Sequence, residues 1–348
     1  MGRLLQLTEP RNITIADYPE PALRSDQVRV ETLYSGISAG TQLTLYRGVN
    51  PYINSQWNAD LRLFESRPAE STSYPIQGMW GYEEVGRVIE TGADVHKISV
   101  GDLIYGAWGH RSSHVTDEAY ACDHRLPSEL DPVCGIFAQM GAIANNAILD
   151  ADIHVGETVA VFGQGVPGQI IAQLARMNGA RVIVVDLDDN RLAVSKQMGA
   201  EITINAATCD VGREIKQLTG RRGVDVAIEI TGVASVLHEA IRSTCYNGRV
   251  VCSGFIVREG NGLFLGQEFH HNRIQVICSQ ISGVGLHVAN RWNQVRMEQN
   301  IMALQAAGRL NLKGLITHVI SYEQASEAYR MIDQRSEHSL QVVLDFQA

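Results

Sequence analysis

Residues 158–168, TVAVFGQGVPG, lead from an apolar run through a glycine-rich turn into a helical pattern. The run at 158–162 is typical of a buried strand, and residues 169–177 have the apolar spacing of a helix. The turn fits G-x-G-x-x-G, whose glycines permit a tight bend, close approach of backbone to a pyrophosphate, and close packing of helix on strand. Because a strand precedes the turn and a helix follows it, the stretch predicts dinucleotide binding; the alternative is a glycine turn that binds nothing.

The residues around this turn are candidates for binding the cofactor. Pro167 stands near the helix start, where a missing N–H costs nothing, and the helix N-terminus presents free N–H groups to phosphates. The next apolar strand ends at Asp186, whose carboxylate can bind the ribose hydroxyls and repels a 2′-phosphate, so NAD is predicted over NADP. The candidates in this stretch are Gly163, Gly165, Val166, Pro167, Gly168, Asp186 and Arg191.

Later strand ends should continue the same binding cleft, because ligands bind at the carboxyl ends of parallel strands. The apolar runs at 224–230, 249–253 and 274–278 alternate with helical segments, which indicates a parallel sheet covered on both faces. We expect the residues that follow them to lie near the nicotinamide. Taken singly, each could equally be an ordinary strand-to-loop residue; they are Thr231, Gly232, Ser253, Gly254, Phe255, Ser279 and Gln280.

Composition and charge exclude several classes of protein. The chain has 348 residues, a length typical of two domains, and its net charge of -9 leaves no basic footprint for nucleic acid or an anionic membrane. No apolar run approaches the ~18 residues of a membrane span. The six cysteines include no C-x-x-C pair, and the first residues lack a signal-peptide apolar region, so we expect a reduced, cytoplasmic protein.

Two further regions differ from the nucleotide-binding part. Residues 1–130 are short strand-like runs broken by Gly, Pro and Asp, which is typical of a barrel-like β domain. Residues 48–74 are polar but contain Tyr52, Trp57 and Phe64, and a structureless loop of this length is uncommon unless it has a function. We interpret that segment as a lid or a dimer contact; a surface excursion is equally compatible with it.

Three motifs complete the pattern: GISAGTQ at 36–42, GYEEVG at 81–86 and GD at 101–102. Together with the glycine motif and Asp186, they resemble the medium-chain dehydrogenase/reductase superfamily of the alcohol dehydrogenase type, over nearly the whole chain. The resemblance implies an α/β protein with a GroES-like β-barrel catalytic domain and a Rossmann domain, a doubly wound parallel sheet. It also implies an active cleft between the domains and a homodimer or homotetramer. The implied ranges are 1–140 and 290–348 for the catalytic domain and 141–289 for the NAD-binding domain.

The departures from the family pattern concern zinc. In zinc-containing members the first motif reads G-I-C-G-T-D, and its cysteine ligates the metal; here that position is Ser38. The second motif usually reads G-H-E, and the histidine position is Tyr82, while the third ligand position aligns with Gln139. Zinc prefers thiolate, imidazole or carboxylate ligands, so we predict no catalytic zinc. The alternative is a site rebuilt from His110, His114 and Glu83. The zinc-lacking form resembles the branch of bacteriochlorophyllide and cyclitol or sugar dehydrogenases.

Without zinc, hydrogen-bond donors must stabilise the developing alkoxide and a side chain must move the proton. Tyr82 and Ser38 should face the substrate, and Tyr82 is our first choice for acid/base, provided that a neighbour lowers its pKa from ~10. Glu83 orients or tunes this group, or pairs with an arginine. His114 is the competing acid/base because imidazole titrates near neutrality, although a structural role is equally compatible with it. Thr41 keeps its family identity and is expected to contact cofactor or substrate.

These observations favour an NAD-dependent, zinc-independent oxidoreductase. It would transfer a hydride between the nicotinamide and a secondary alcohol of a small polyol, cyclitol or sugar-like substrate. One alternative is an NAD(P)H-dependent enone or quinone reductase, against which Asp186 counts. Another is a dinucleotide-binding protein without catalysis.

Overall fold

The computed structural model describes residues 1–68, 73–77, 80–334 and 339–348. The chain forms two compact units, Met1–Gln139 with Ile316–Ala348, and Met140–Leu315. The chain therefore returns to the first unit at residue 316, whereas the range implied by the family resemblance began at 290. The difference arises because the helix Gln294–Ala306 packs within the second unit, where the side chain of Ile301 lies against Gly141.

The helices and strands are numbered in chain order. The helices are α1 (Ala39–Tyr46), α2 (Glu118–Asp123), α3 (Phe137–Ala151), α4 (Val166–Met177), α5 (Asp189–Gln197), α6 (Val211–Leu218), α7 (Ala234–Ser243), α8 (Gln294–Ala306) and α9 (Ala325–Gln334). The strands of the first unit are β1 (Gly2–Glu9), β2 (Asn12–Tyr18), β3 (Gln27–Ile37), β4 (Ser55–Asn58), β5 (Leu63–Ser66), β6 (Glu84–Thr91), β7 (Leu103–Gly106), β8 (Ser113–Asp117), β15 (Ile316–Ser321) and β16 (Gln341–Asp345). Those of the second unit are β9 (Thr158–Phe162), β10 (Arg181–Asp186), β11 (Ile202–Asn205), β12 (Val224–Glu229), β13 (Thr244–Cys252) and β14 (Gln275–Cys278).

The first unit is built on a mixed sheet of order β15-β16-β3-β6-β7, with β8 also paired to β3. Strands β3 and β6 run antiparallel, and Ser35 is paired with Glu84, so the end of β3 lies beside the start of β6. Strand β16 pairs with the same end of β3, Val342 opposite Ile37. This register brings Ser38, which follows β3, next to Tyr82, which precedes β6.

The second unit has a parallel sheet of order β11-β10-β9-β12-β13-β14. Its central strands are apolar, and the last four residues of β9 are buried, as expected for strands covered on both faces. The fold class predicted from the sequence, an α/β protein with a Rossmann domain and a separate sheet domain, is confirmed.

The segment at 48–74 is not a structureless loop in its described part. A short 3-10 turn at Pro51–Ile53 leads into a hairpin of β4 and β5, in which Trp57 pairs with Phe64. The rings of Trp57 and Phe64 lie 5.2 Å apart edge to face, and both side chains are exposed. Residues 69–72 of this segment lie outside the described residues.

The expectation that no apolar run approaches membrane length was wrong for one segment. Residues Pro132–Ala151 are long and apolar enough to cross a membrane by length and composition, with a mean hydropathy of 1.3. However, 78% of the apolar 18-residue stretch within it is buried inside the protein, which is typical of a core helix.

Candidate active site

Three hydroxyl groups meet where β3 ends and β6 begins. The Oγ of Ser38 lies 2.5 Å from the hydroxyl of Tyr82, and the Tyr82 hydroxyl donates to Oγ1 of Thr41 at 3.1 Å. Ser38 precedes α1 and is only 3% exposed, while Tyr82 and Thr41 are half-buried. The structure therefore brings together three of the five residues predicted for catalysis.

Glu83 is the fourth predicted residue at this position, and it is buried. Its Oε2 accepts a hydrogen bond from Nε2 of Gln341 at 3.1 Å, while its Oε1 has no hydrogen-bond partner among the described residues. Burial, and then the charge of Glu84, raise the pKa of Glu83 to about 8, against the lowering effects of Gln341 and Ser38. A carboxyl with this pKa exchanges its proton near neutral pH.

A second buried network begins at Glu84. Its carboxylate accepts hydrogen bonds from Ser35 Oγ at 2.8 Å and from the backbone N–H of Trp108 at 2.7 Å, and burial raises its pKa to about 7. The Nδ1 of His110 lies 2.6 Å from Ser35 Oγ, and its Nε2 lies 2.9 Å from the hydroxyl of Tyr329. Burial lowers the pKa of His110 to about 3, so its ring is neutral and serves as a hydrogen-bonded structural group.

The pKa of Tyr82 moves upward, opposite to the direction that a base at neutral pH would need. Burial, and then the neighbouring Glu83, raise the pKa of Tyr82 to about 12, although the hydrogen bonds of Ser38 and Thr41 act in the other direction. The phenol therefore remains protonated near neutral pH. It can donate a hydrogen bond to a substrate oxygen, or pass a proton on if it receives one.

His114, the competing acid/base, lies apart from the hydroxyl cluster of Ser38, Thr41 and Tyr82. It belongs to β8, opposite Val30, and its ring stacks on Trp108 with the ring planes 4° apart. Burial, and then Arg111, lower the pKa of His114 to about 4. The structure does not bring this ring to Tyr82, and its role as acid/base stays a prediction.

The family's zinc ligand positions do not fit zinc here. Ser38 and Tyr82 offer hydroxyl groups that bond to each other, and Gln139 offers an amide in the first turn of α3. Neither group is among the thiolate, imidazole and carboxylate ligands that zinc prefers. Within the described ranges, no group of three or more His, Cys, Asp or Glu side chains could hold a metal ion.

The nucleotide-binding turn has the backbone geometry that its glycines predict. Gly163 follows β9 with φ +99°, in the left-handed region that favours glycine. A Cβ on Gly168 would overlap the carbonyl oxygen of Gly163, so only glycine allows α4 to approach β9 this closely. Gly165 precedes α4 without a side-chain cap, which leaves the helix N–H groups to a phosphate. These residues fit a dinucleotide.

Asp186 lies at the end of β10, and the backbone holds its carboxylate in place. Its Oδ2 accepts the N–H of Gln164 at 2.6 Å, and its Oδ1 accepts the N–H groups of Leu187 at 2.8 Å and Asp188 at 3.0 Å. Arg191, another predicted cofactor residue, lies 3.9 Å from the carboxylate of Asp188. The negative charge at the strand end is thus fixed next to the glycine turn.

The other predicted cofactor residues lie in loops that buried polar side chains organise. The carboxylate of Glu229 accepts the N–H groups of Thr231 at 2.6 Å and Gly232 at 2.9 Å, and the backbone of Gly254 lies against Gly232. Phe255 also approaches Gly232 through its backbone, and Ser253 donates its N–H to the carbonyl of Glu229.

The last strand end is held in the same manner. Asn146 of α3 donates to Ser279 Oγ at 3.3 Å and to the carbonyl of Gln280 at 3.4 Å. The side chain of Asn146 thus binds both Ser279 and Gln280, and their contact with the nicotinamide stays a prediction.

Sequence reasoning missed the side chains that hold the predicted ones. Gln341 binds Glu83, while Tyr329 and Gln42 join the His110 network, and Tyr329 donates to Gln42. A signal was available for Gln341, because it is a polar residue placed directly before the apolar run of the strand QVVLD. The glutamate doublet of GYEEVG offered another, because strand β6 begins there in a buried position.

Comparison with known proteins supports the class of protein that the sequence predicts, an alcohol dehydrogenase-like oxidoreductase. A sequence model of the zinc-binding dehydrogenase family matches residues 167–297. D-guloside 3-dehydrogenase from Escherichia coli is 32% identical, over 98% of this chain and 99% of that protein. Sorbitol dehydrogenase from Halalkalibacterium halodurans is 24% identical, over 96% and 95% of the two chains. The crystal structure of 2R,3R-butanediol dehydrogenase from Bacillus subtilis superposes with a TM-score of 0.78 at 22% identity, covering 99% of both chains.

The chain belongs to the medium-chain dehydrogenase/reductase superfamily, among its alcohol dehydrogenase-like members. It is an oxidoreductase acting on alcohols, and its cofactor is a nicotinamide dinucleotide.

Proposed function

We propose that this protein is an NAD-dependent, zinc-independent dehydrogenase that oxidises a secondary alcohol of a polyol, cyclitol or sugar-like substrate. The observation that carries the proposal is the hydroxyl cluster of Ser38, Thr41 and Tyr82, with 2.5 Å between the Ser38 and Tyr82 oxygens. Two members of this cluster stand at the family's metal-ligand positions. The sugar-like substrate class is supported by the relative that acts on D-gulosides.

In this proposal the hydroxyl cluster does the work that a metal would otherwise do. When the substrate binds, Tyr82 turns its one hydroxyl proton from Thr41 to the reacting oxygen and stabilises the negative charge that develops there. Thr41 and Ser38 hold the phenol in position. The bound nicotinamide would supply the acceptor for the hydride of the carbinol carbon.

The preference for NAD rests on Asp186. Three backbone N–H groups fix its carboxylate, so it cannot turn away from an approaching ribose. A neutral ribose can donate its hydroxyls to this carboxylate, whereas a 2′-phosphate would meet a like charge at close range.

A homodimer and a cytoplasmic location also belong to the proposal. Strand β14 is an edge of the parallel sheet, Val276 is 40% exposed and Cys278 is exposed, and such an edge is a template for pairing with a second copy. Light scattering on the purified protein should give twice the chain mass, and Val276→Lys should shift it toward the monomer. A monomer at all concentrations would contradict the proposed dimer.

The enzymatic proposal is tested by cofactor reduction over a panel of methyl glycosides, cyclitols and polyols, with NAD or NADP and with or without a chelator. We expect turnover of a secondary alcohol with NAD, unchanged after chelator treatment, in protein that elemental analysis shows to lack stoichiometric zinc. Loss of turnover in chelator would contradict zinc independence. Turnover of enones or quinones only, or no turnover with binding of NAD, would favour the two alternatives.

A further inference from the structure

Two cysteines that are far apart in the sequence lie side by side in the parallel sheet. Cys252 is the last residue of β13 and Cys278 is the last residue of β14, and the register of these strands pairs the two residues directly. The backbones are joined at this point, because the N–H of Ser279 donates to the carbonyl of Cys252 at 3.0 Å. Residues paired in this way on parallel strands carry their side chains on the same face of the sheet.

We propose that Cys252 and Cys278 are a modification site, at which an oxidant such as oxidised glutathione forms a reversible disulfide within the chain. Neighbouring strands lie about 4.8 Å apart, and the Cα atoms of bridged cysteines are about 4.4–6.8 Å apart, so the spacing suits this bond. The Cβ atoms of a disulfide are about 3.8 Å apart. Both residues stand where their strands end, so a small shift of the strand ends brings them that close.

The surroundings of the two thiols give them different parts in the reaction. Cys278 is exposed and meets an oxidant first, whereas Cys252 is half-buried. Burial, and then the charges of Glu229 and Cys278, raise the pKa of Cys252 to about 11. The Cys252 thiol is therefore protonated near neutral pH. We expect the attack of Cys278 on the oxidant to be the fast step and the closure by Cys252 to be the slow one.

The reaction balances with oxidised glutathione as the oxidant. The Cys278 thiolate attacks one sulfur of the oxidant, whose S–S bond breaks, and one glutathione thiolate leaves. The Cys252 thiol then gives its proton to water, and its thiolate attacks the Cys278 sulfur. The mixed disulfide breaks, the second glutathione thiolate leaves, and the bond between the two protein sulfurs forms. Two protein thiols are oxidised, and one oxidised glutathione is reduced to two thiols.

The free edge of the sheet offers Cys278 a second partner. Strand β14 is the last strand of the parallel sheet, so a second copy of the chain that pairs with this edge would bring another Cys278 near. Cys252 lies beside Cys278 in the same chain, whatever the oligomeric state. We therefore expect the bond within the chain to form ahead of a bond between two copies.

The bond would act on two loops that carry candidate cofactor residues. Ser253 follows Cys252 and Ser279 follows Cys278, and the sequence predicts both serines near the nicotinamide. Drawing the strand ends together shifts both loops, and we expect the oxidised protein to bind NAD about tenfold more weakly than the reduced protein, because small displacements at a site are costly. This effect on the coenzyme rests on the proposed function, whereas formation of the disulfide does not.

The experiment equilibrates the full chain in mixtures of reduced and oxidised glutathione and then blocks free thiols by alkylation. Trypsin cuts after Arg258 and Arg273, so the two cysteines fall in separate peptides, 250–258 and 274–291. We expect oxidation to link these two peptides within one chain, with the loss of two hydrogen atoms, and dithiothreitol to reverse the link. Two linked copies of the 274–291 peptide from different chains, or glutathione adducts that never close, would overturn the proposal.

Variants of single cysteines check the order of the steps. Cys252→Ser should stop at the mixed disulfide of Cys278, and Cys278→Ser should leave Cys252 without an adduct. The matched control is Cys209→Ser, which removes an exposed thiol outside the pair and should keep crosslinking at the parent level. If Cys278→Ser gains an adduct at Cys252 as fast as the parent forms the link, the assigned order is wrong.

The outcomes separate this site from the proposed function. Crosslinking is measured by mass alone, so its result does not depend on whether the protein oxidises an alcohol. If the reduced protein binds no NAD in a fluorescence titration, the proposed function fails, and of this inference only the effect on the coenzyme fails with it. If reduced and oxidised protein bind NAD equally, the effect on the coenzyme is wrong. Cys278→Ser treated with the same oxidant controls for oxidation elsewhere in the chain.

Discussion

Tyr82 is the side chain expected to touch the reacting oxygen, so removing its hydroxyl isolates that contact. We expect Tyr82→Phe to lower kcat by about 100-fold or more, because it deletes both the donor for the developing alkoxide and the first step of proton transfer. Binding of NAD should not change, because the glycine turn belongs to other residues. Initial rates and a cofactor titration measure the two effects.

Tyr322 offers a matched control for this substitution. It is also a buried tyrosine of the first unit, and its hydroxyl has no hydrogen-bond partner among the described residues. Tyr322→Phe should therefore keep the parent kcat. Full activity in Tyr82→Phe would move the acid/base role to another group, of which His114 is the first to test.

Asp186 determines the choice between NAD and NADP in our proposal. We expect Asp186→Asn, which removes the charge and keeps one of the two oxygens that accept backbone N–H groups, to reduce the kcat/KM preference for NAD over NADP at least tenfold. The control is Asp189→Asn, which removes a charge from the first turn of α5. An unchanged preference in Asp186→Asn would mean that the 2′-position is recognised elsewhere.

At the level of elements, the junction of β9 and α4 depends on a contact that only glycine permits. A Cβ at residue 168 would overlap the carbonyl oxygen of Gly163, so Gly168→Ala must push α4 away from the sheet. We expect a loss of about 1–3 kcal/mol in the free energy of unfolding and a weaker affinity for NAD. Gly260→Ala, in the same unit and with open space at its Cβ, should do neither.

The same junction shows which elements the sequence can predict. Residues 158–177 form a strand, a turn and a helix whose signals are all local, and the structure has them at nearly the predicted bounds. The hairpin of β4 and β5 was missed because each strand has only four residues and no regular apolar alternation. Short strands of this kind form through cross-strand contacts, here those of Trp57 and Phe64, rather than through their own propensity.

The sequence did not predict the residues that support the candidate site, because they contact partners far away along the chain. Gln341 binds a carboxyl 258 positions earlier in the chain, and Tyr329 binds Gln42 across 287 positions. Spacing along the sequence cannot show such contacts. The motifs could predict Ser38, Thr41 and Tyr82 because family positions were known, but the direction of the Tyr82 pKa follows from burial and from Glu83, which only the structure gives.

At the level of the whole molecule, the buried titratable groups should set the pH at which the fold is most stable. Glu83 and Glu84 have pKa values of about 8 and 7, raised from 4.5, so the folded protein holds protons that the unfolded chain releases. Their contribution to stability is fully present below pH 4.5 and is lost as the pH rises through 7 to 8. His110 and His114, with pKa values lowered to about 3 and 4, act oppositely: their contribution is lost as the pH falls below 6.5.

The two effects oppose each other between pH 4.5 and 6.5, but above that interval, of these four groups, only the glutamates still titrate. We therefore expect the free energy of unfolding to fall between pH 6.5 and 8.5, as measured by urea denaturation at fixed ionic strength. The double variant with Glu83→Gln and Glu84→Gln lacks both of these buried carboxyls, so its stability should fall much less across that interval. A parallel decline in the parent and the double variant would show that the carboxyls are not protonated in the folded protein.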